Sequence, residues 1–177
     1  MKKNYKELLH PIKAFIFDMD GVLNSGNLAI GQDGKPIRNL NSKDSYAIQL
    51  AVRKGYKVGL ISGGSCAGIK TRLQGLGLTD IYMSIPHKLE AWNDFLAVYE
   101  HEGLQPENIL YMGDDIPDIP VLKEAGVACC PQNGVPEVRQ LVDYVSPHLG
   151  GDGCARDVIE QCLKVQDNWM LEDDFRW

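Results

Sequence analysis

The stretch IKAFIFDMDGVL, residues 12–23, most constrains what this chain can fold into. Residues 12–17 are almost uninterruptedly apolar and rich in Ile and Phe, the pattern of a strand covered on both faces in a parallel sheet. Two carboxylates follow at once. Asp18 and Asp20 are two residues apart, so where extended geometry continues their side chains share a direction, and Gly21 then allows a sharp turn out of the sheet. Acids after a strand can cap a following helix. A close pair at the carboxyl end of a buried strand is nevertheless poorly suited to a core, and in open α/β sheets that end is where ligands bind.

The remainder alternates strand and helix. Strands are expected at 56–61, 81–84, 109–112, 127–130 and 144–145. Helices are expected at 44–55, after Ser65, at 89–100, at 135–142, and from the glycine-rich stretch 149–154 through Leu163. This predicts an α/β fold: one Rossmann-like domain spanning 1–177, a doubly wound parallel sheet with right-handed crossovers. Between 27 and 40, two short extended segments flank Gln32-Asp33-Gly34-Lys35 and predict a protruding β-hairpin. Its apolar Leu28, Ile30, Ile37 and Leu40 require cover, either over the site or against another subunit. The first ten residues are read as a helical turn or two, or as disorder. The tail, 166–177, mixes acids with aromatics and has no period, so it is expected to be disordered or docked on a neighbour.

Composition narrows the function classes. With 177 residues the chain suits one domain, and a net charge of -6 argues against a nucleic-acid binder, which needs a basic face. Five cysteines, an odd number without a C-x-x-C, read as free thiols in a reducing compartment. The opening residues are broken by Glu7, His10, Pro11 and Lys13 before any long apolar run, and nothing approaches the ~20 apolar residues of a membrane span. The expectation is a soluble cytoplasmic protein that binds neither nucleic acid nor membrane.

A second strand, 109–112, also ends in acids, at Gly113-Asp114-Asp115-Ile116-Pro117-Asp118. In one parallel sheet, Asp18, Asp20 and Asp114 reach the same rim, where they repel unless a cation lies between them. Hard oxygen donors suit Mg²⁺; no His/Cys cluster has zinc spacing. Ser62, Gly63 and Gly64 end another strand and offer a hydroxyl and N–H groups to a phosphate. Lys88 opens a helix, where the macrodipole disfavours a cation, so its charge is a candidate for a job elsewhere. A cation, a hydroxyl, an ammonium and a carboxylate nucleophile are equipment for phosphoryl transfer.

DMDGV, Ser62 at a strand end, Lys88 and GDDIPD resemble, in order, the four motifs of the haloacid dehalogenase superfamily. The absence of a cap beyond the hairpin resembles its small capless branch, which includes the 3-deoxy-D-manno-octulosonate 8-phosphate phosphatases. The resemblance implies that Asp18 attacks phosphorus and that Asp20 protonates the leaving oxygen and then activates water. It implies Mg²⁺ on Asp18, the Asp20 carbonyl and Asp114, with Asp115 and Asp118 fixing that shell, and a phosphoryl group gripped by Ser62 and Lys88. Substrate contacts carried over in the same way are Asp20, Asn41, Ser42, Lys43, Asp44, Ser45, Gly63, Gly64, Lys88 and Asp115, with Arg72 suited to a sugar carboxylate. Gln49 and Gly64 stand where that branch often has arginine, which leaves a nonulosonate 9-phosphate as the alternative substrate. A catalytically silent phosphosugar-binding module is the alternative of another class, opposed by the presence of Asp18, Asp20, Lys88 and Asp114. The resemblance also implies lipopolysaccharide biosynthesis and a homotetramer in which the loop 150–153 reaches over an adjacent subunit's site.

Overall fold

The structure, a computed structural model, describes residues 4–176. A single turn, α1 (Tyr5–Leu8), precedes β1 (Ala14–Phe17). The hairpin strands β2 (Ala29–Ile30) and β3 (Pro36–Ile37) come next, then α2 (Ser42–Arg53), β4 (Lys57–Ile61), α3 (Ala67–Gly75), β5 (Asp80–Tyr82), α4 (Lys88–Tyr99), β6 (Ile109–Met112), α5 (Ile119–Leu122), β7 (Val127–Cys130), α6 (Pro136–Leu141), β8 (Tyr144–Val145) and α7 (Cys154–Val165). Six strands pair in the order β5-β4-β1-β6-β7-β8, all parallel, as the doubly wound reading expects. The order reverses beside β1, which makes its carboxyl end the switch point where such sheets bind ligands.

Alternation along β1 builds two cores. Phe15 and Phe17 enter a cluster with Ile48 and Leu50 of α2, Leu73 of α3 and Val158 and Ile159 of α7. Ala14 and Ile16 face the other way, into Trp92 and Phe95 of α4, Val121 of α5 and Val138 of α6. Successive strand side chains point to opposite faces, so a strand apolar at every position must be covered twice. The central register is level: Phe17 lies opposite Leu60 on one side and Met112 on the other.

The hairpin is shorter than its sequence suggests. Only Ala29–Ile30 and Pro36–Ile37 pair, because the Gly31 N–H already turns back to the Lys35 carbonyl at 2.8 Å and Pro36 has no N–H to give. Ile30 and Ile37 are 66% and 62% exposed, whereas Leu40 packs on the core.

The expectation that the tail is disordered or docked on a neighbour is corrected. Through residue 176 the tail lies on its own chain: Lys54 Nζ meets Asp174 Oδ1 at 2.8 Å, Arg53 donates to the Arg176 carbonyl, and the Tyr46 hydroxyl donates to the Asp174 carbonyl. Trp169 lies under the Arg156 and Lys164 cations. Met1–Lys3 and Trp177 lie outside the described residues. The glycine loop is likewise stitched inward, with Gly151 N–H to the Val22 carbonyl at 2.8 Å, Gly150 N–H to Asn133 Oδ1 at 2.9 Å, and Asn41 Nδ2 to the Gly151 carbonyl at 3.2 Å. Among the described residues no helix is long and apolar enough to cross a membrane.

A Cβ at Gly150 would stand 1.8 Å from the Gly21 carbonyl oxygen. Gly150→Ala is therefore expected to destabilise the protein by roughly 1–3 kcal/mol, the usual cost of overpacking, and to lower activity by shifting the loop after β1. Urea unfolding measures this, and an unchanged midpoint would show that the loop can step aside.

Candidate active site

Because β1, β4 and β6 end level, the residues that follow them surround one cleft of about 520 Å³. Asp18 and Asp20 come from the loop after β1, Ser62, Gly63 and Gly64 from the loop after β4, Lys88 from the start of α4, and Asp114, Asp115 and Asp118 from the loop after β6. Gly21, at φ +92°, permits the close return: a Cβ there would fall 2.0 Å from Asp114 Oδ2.

Lys88 is the first residue of α4, and its N-cap, His87, makes no side-chain capping bond. Only 7% exposed, it is held by charge: Nζ lies 3.0 Å from Asp18 Oδ1 and 2.7 Å from Asp118 Oδ1. Burial disfavours its ammonium form, but the two carboxylates outweigh this and raise its pKa. Asp118 is saturated. Its Oδ1 also accepts from the Tyr111 hydroxyl at 2.5 Å, and its Oδ2 accepts the N–H groups of Asp114 and Asp115 at 3.1 and 3.2 Å.

Asp18, Asp114 and Asp118 present oxygens that all lie within 4.8 Å of one another. With all three carboxylates ionised, the one ammonium leaves two negative charges in excess, the charge of a divalent cation. Burial, then Asp118, pushes Asp18 up to about 7 against the pull of Lys88; Asp114 is pushed up to about 7 by the same two causes. Asp114 Oδ1 is buried with no hydrogen-bond partner, a costly state that a cation resolves. The donors are all hard oxygens, so the residues fit Mg²⁺. The Asp20 carboxylate lines the same cleft but stands outside this cluster: Arg38 Nε and Nη2 donate to it at 2.7 and 2.8 Å and Asn24 Nδ2 at 2.7 Å. Burial pushes Asp20 up, but these hydrogen bonds and the guanidinium charge win and hold it below the usual carboxylate range.

The segment 41–45 does not line this cleft. Ser42, Ser45 and Arg72 line a neighbouring groove of about 370 Å³ together with Arg38, Leu40 and Cys66. Lys43 borders a third depression with His148 and Arg156. Asn41 caps α2, accepting from the Lys43 N–H at 2.8 Å. Asp44 is the clear correction. It is buried, and its two oxygens accept the N–H groups of Gly153 and Arg156, so it caps α7 and lines none of these cavities. Arg38 and Tyr111 escaped the sequence reading. A tyrosine inside the apolar run of β6 is a legible signal, since a buried hydroxyl needs a partner; a hairpin arginine carries none.

A family model of haloacid dehalogenase-like hydrolases matches residues 85–157. The 3-deoxy-D-manno-octulosonate 8-phosphate phosphatase of Escherichia coli K12 is 33% identical over 155 residues, covering 88% of this chain and 81% of that one. The chain belongs to the haloacid dehalogenase-like hydrolases. Among solved structures, the phosphatase of the same name from Yersinia pestis superposes with a TM-score of 0.89 at 29% identity, covering 94% of this chain and 88% of that chain. The one from Moraxella catarrhalis superposes at 0.86 with 28% identity, over 96% and 95% of the two chains; it was solved with a magnesium ion, a phosphate ion and a KDO molecule.

Two outcomes follow for this hydrolase. Without metal, Asp18 and Asp114 titrate above the ordinary carboxylate value of 3.8. Their contribution to stability is therefore full below that value and is lost as pH rises through about 7. Thermal melts in EDTA should fall more steeply from about pH 4 to about pH 8 for the wild type than for Asp114→Asn, and MgCl₂ should restore the loss at the upper end only. Equal slopes would remove the electrostatic account. Asp44→Ala should cost about 0.5–2 kcal/mol as a lost cap while KM changes little, checked by urea melts beside steady-state kinetics.

Proposed function

We propose that this phosphoric monoester hydrolase removes the phosphate of a phosphorylated keto sugar acid, 3-deoxy-D-manno-octulosonate 8-phosphate being the compound named for its relatives. The observation that carries the reading is the cleft in which Asp18, Asp20, Ser62, Lys88 and Asp114 meet. Arg72 in the adjoining groove supports an acidic organic portion, because a guanidinium binds a carboxylate with two parallel bonds.

In this reading Asp18 is the nucleophile. Lys88 fixes its carboxylate at 3.0 Å and later neutralises the charge on the transferring phosphoryl oxygens. Asp18 forms a bond to phosphorus as the bond to the sugar oxygen breaks, and Asp20, in the protonated form that it reaches only when freed from Arg38, gives that oxygen its proton. Asp20, now a carboxylate, takes a proton from water as the water attacks phosphorus, which releases inorganic phosphate and returns Asp18. Ser62, Gly63 and Gly64 border the same space; the Gly64 N–H donates to the Ser62 hydroxyl oxygen at 3.1 Å, which leaves the hydroxyl hydrogen and the Gly63 N–H to orient the phosphoryl group. Asp18 and Asp114 would hold Mg²⁺, which would supply charge neutralisation and favour the ionised form of Asp18. Asp118, with every oxygen already engaged, holds Lys88 and the loop in place.

The reading includes a cytoplasmic homotetramer serving lipopolysaccharide biosynthesis, in which copies of the chain cover the exposed Ile30 and Ile37. Light scattering at assay concentration tests the assembly, and a fully active monomer excludes it.

Asp18→Asn is expected to fold and to show no turnover, and Asp20→Asn to lose about 10²–10⁴-fold in kcat. EDTA should silence the wild type. Arg72→Ala should raise KM for octulosonate 8-phosphate far more than for p-nitrophenyl phosphate, which has no carboxylate. Full activity of Asp18→Asn in a phosphate-release assay would refute the covalent route, and equal KM changes would refute the acidic substrate.

A further inference from the structure

Arg38 leaves the hairpin one residue after β3 and turns inward, its side chain 5% exposed. Nε and Nη2 grip the two oxygens of Asp20 at 2.7 and 2.8 Å, and Nη1 donates to the Ser65 carbonyl at 3.2 Å. One side chain thus ties the hairpin to both the loop after β1 and the loop after β4. Asp20 and Gly64 line the catalytic cleft, while Arg38 lines the groove that holds Arg72. The Arg38–Asp20 pair therefore joins the two cavities, Asp20 facing the cleft and Arg38 the groove. Gly64 provides the guanidinium's space: a Cβ there would stand 2.7 Å from Arg38 Nη2 and 3.0 Å from Asp20 Oδ2. The groove's lining, which includes Ser42, Ser45 and Cys66, holds no carboxylate, so Arg38 and Arg72 give it a positive character.

We propose that Arg38 is a specificity-determining residue, a guanidinium shared between Asp20 and a carboxylate on the organic part of the phosphate ester. The inference rests on the phosphatase reading above and deepens it. An ester with its phosphoryl group in the cleft and its acidic end toward Arg72 passes over Arg38. Its carboxylate competes with Asp20 for the same fork, and Asp20, once loosened, is placed to reach the leaving oxygen. An ester without a carboxylate leaves the grip closed. Selectivity for acidic esters then appears in kcat as well as in KM, because recognition and proton transfer use one side chain.

The test is the ratio of kcat/KM for carboxylated esters, octulosonate 8-phosphate and 6-phosphogluconate, to that for glucose 6-phosphate, measured with Mg²⁺ present. The wild type should favour the carboxylated esters, and Arg38→Ala should lower that ratio by about tenfold or more, part of it through kcat. Arg38→Lys, which keeps the charge without the fork, should retain part of the preference; it carries the same comparison if the alanine variant does not fold. Gly64→Ala, which crowds the guanidinium without removing it, should lower the ratio in the same direction. If every ester loses activity by the same factor in Arg38→Ala, Arg38 only braces the fold and the proposal is overturned. It is also overturned if the wild type has no preference for carboxylated esters. A wild type that prefers 6-phosphogluconate to octulosonate 8-phosphate would remove the named substrate while leaving Arg38 supported by the same ratio.

Discussion

The site depends on one ammonium held between two buried carboxylates. Lys88 contacts Asp18 and Asp118 at 3.0 and 2.7 Å, and breaking such a pair from one side costs about 3–5 kcal/mol because a buried charge is left alone. The contact is also a geometric tie. It joins the loop after β1, the start of α4 and the loop after β6, so the nucleophile, the phosphoryl-binding cation and the acids that fit a metal are placed by one set of bonds. The N-terminus of α4 opposes a positive charge, and the two acids overcome that opposition.

Around this tie the chain accumulates more negative charge than it can satisfy. Asp118 is balanced by Lys88, Tyr111 and two backbone N–H groups, but Asp114 is left with an orphaned oxygen and, like Asp18, a raised pKa. A fold selected for stability alone has little use for such a cluster. Here the two level strand ends force the acids together, and the unmet charge becomes affinity for what enters the cleft.

Much of this was legible from the chain. Apolar runs ending abruptly in acids located β1 and β6 and their shared rim, and Lys88 stood out as a misplaced cation. What escaped was tertiary. Asp44 reads as an acid in the first turn of α2, yet its partners, Gly153 and Arg156, are more than a hundred residues away and make it a cap for α7. Arg38 lies in a segment of low structural content, and only the folded hairpin shows that it reaches Asp20. The tail lacked a period because it is held by separate polar contacts, Asp174 with Lys54 and the Arg176 carbonyl with Arg53, and not by one helical face.

The register of β1 with β4 and β6 acts as a ruler for the chemistry. Phe17, Leu60 and Met112 stand side by side, and each residue of strand advances the chain by about 3.3 Å. An insertion inside any of these three strands would move a reacting group by more than the length of a hydrogen bond and turn its side chain to the opposite face. An insertion in the hairpin, beyond the ruler's end, would leave those three alignments untouched. Change in this molecule is therefore channelled: the groups that act on phosphorus are locked to the sheet, while the segment that carries Arg38 is free to lengthen, shorten and be re-aimed at other organic groups.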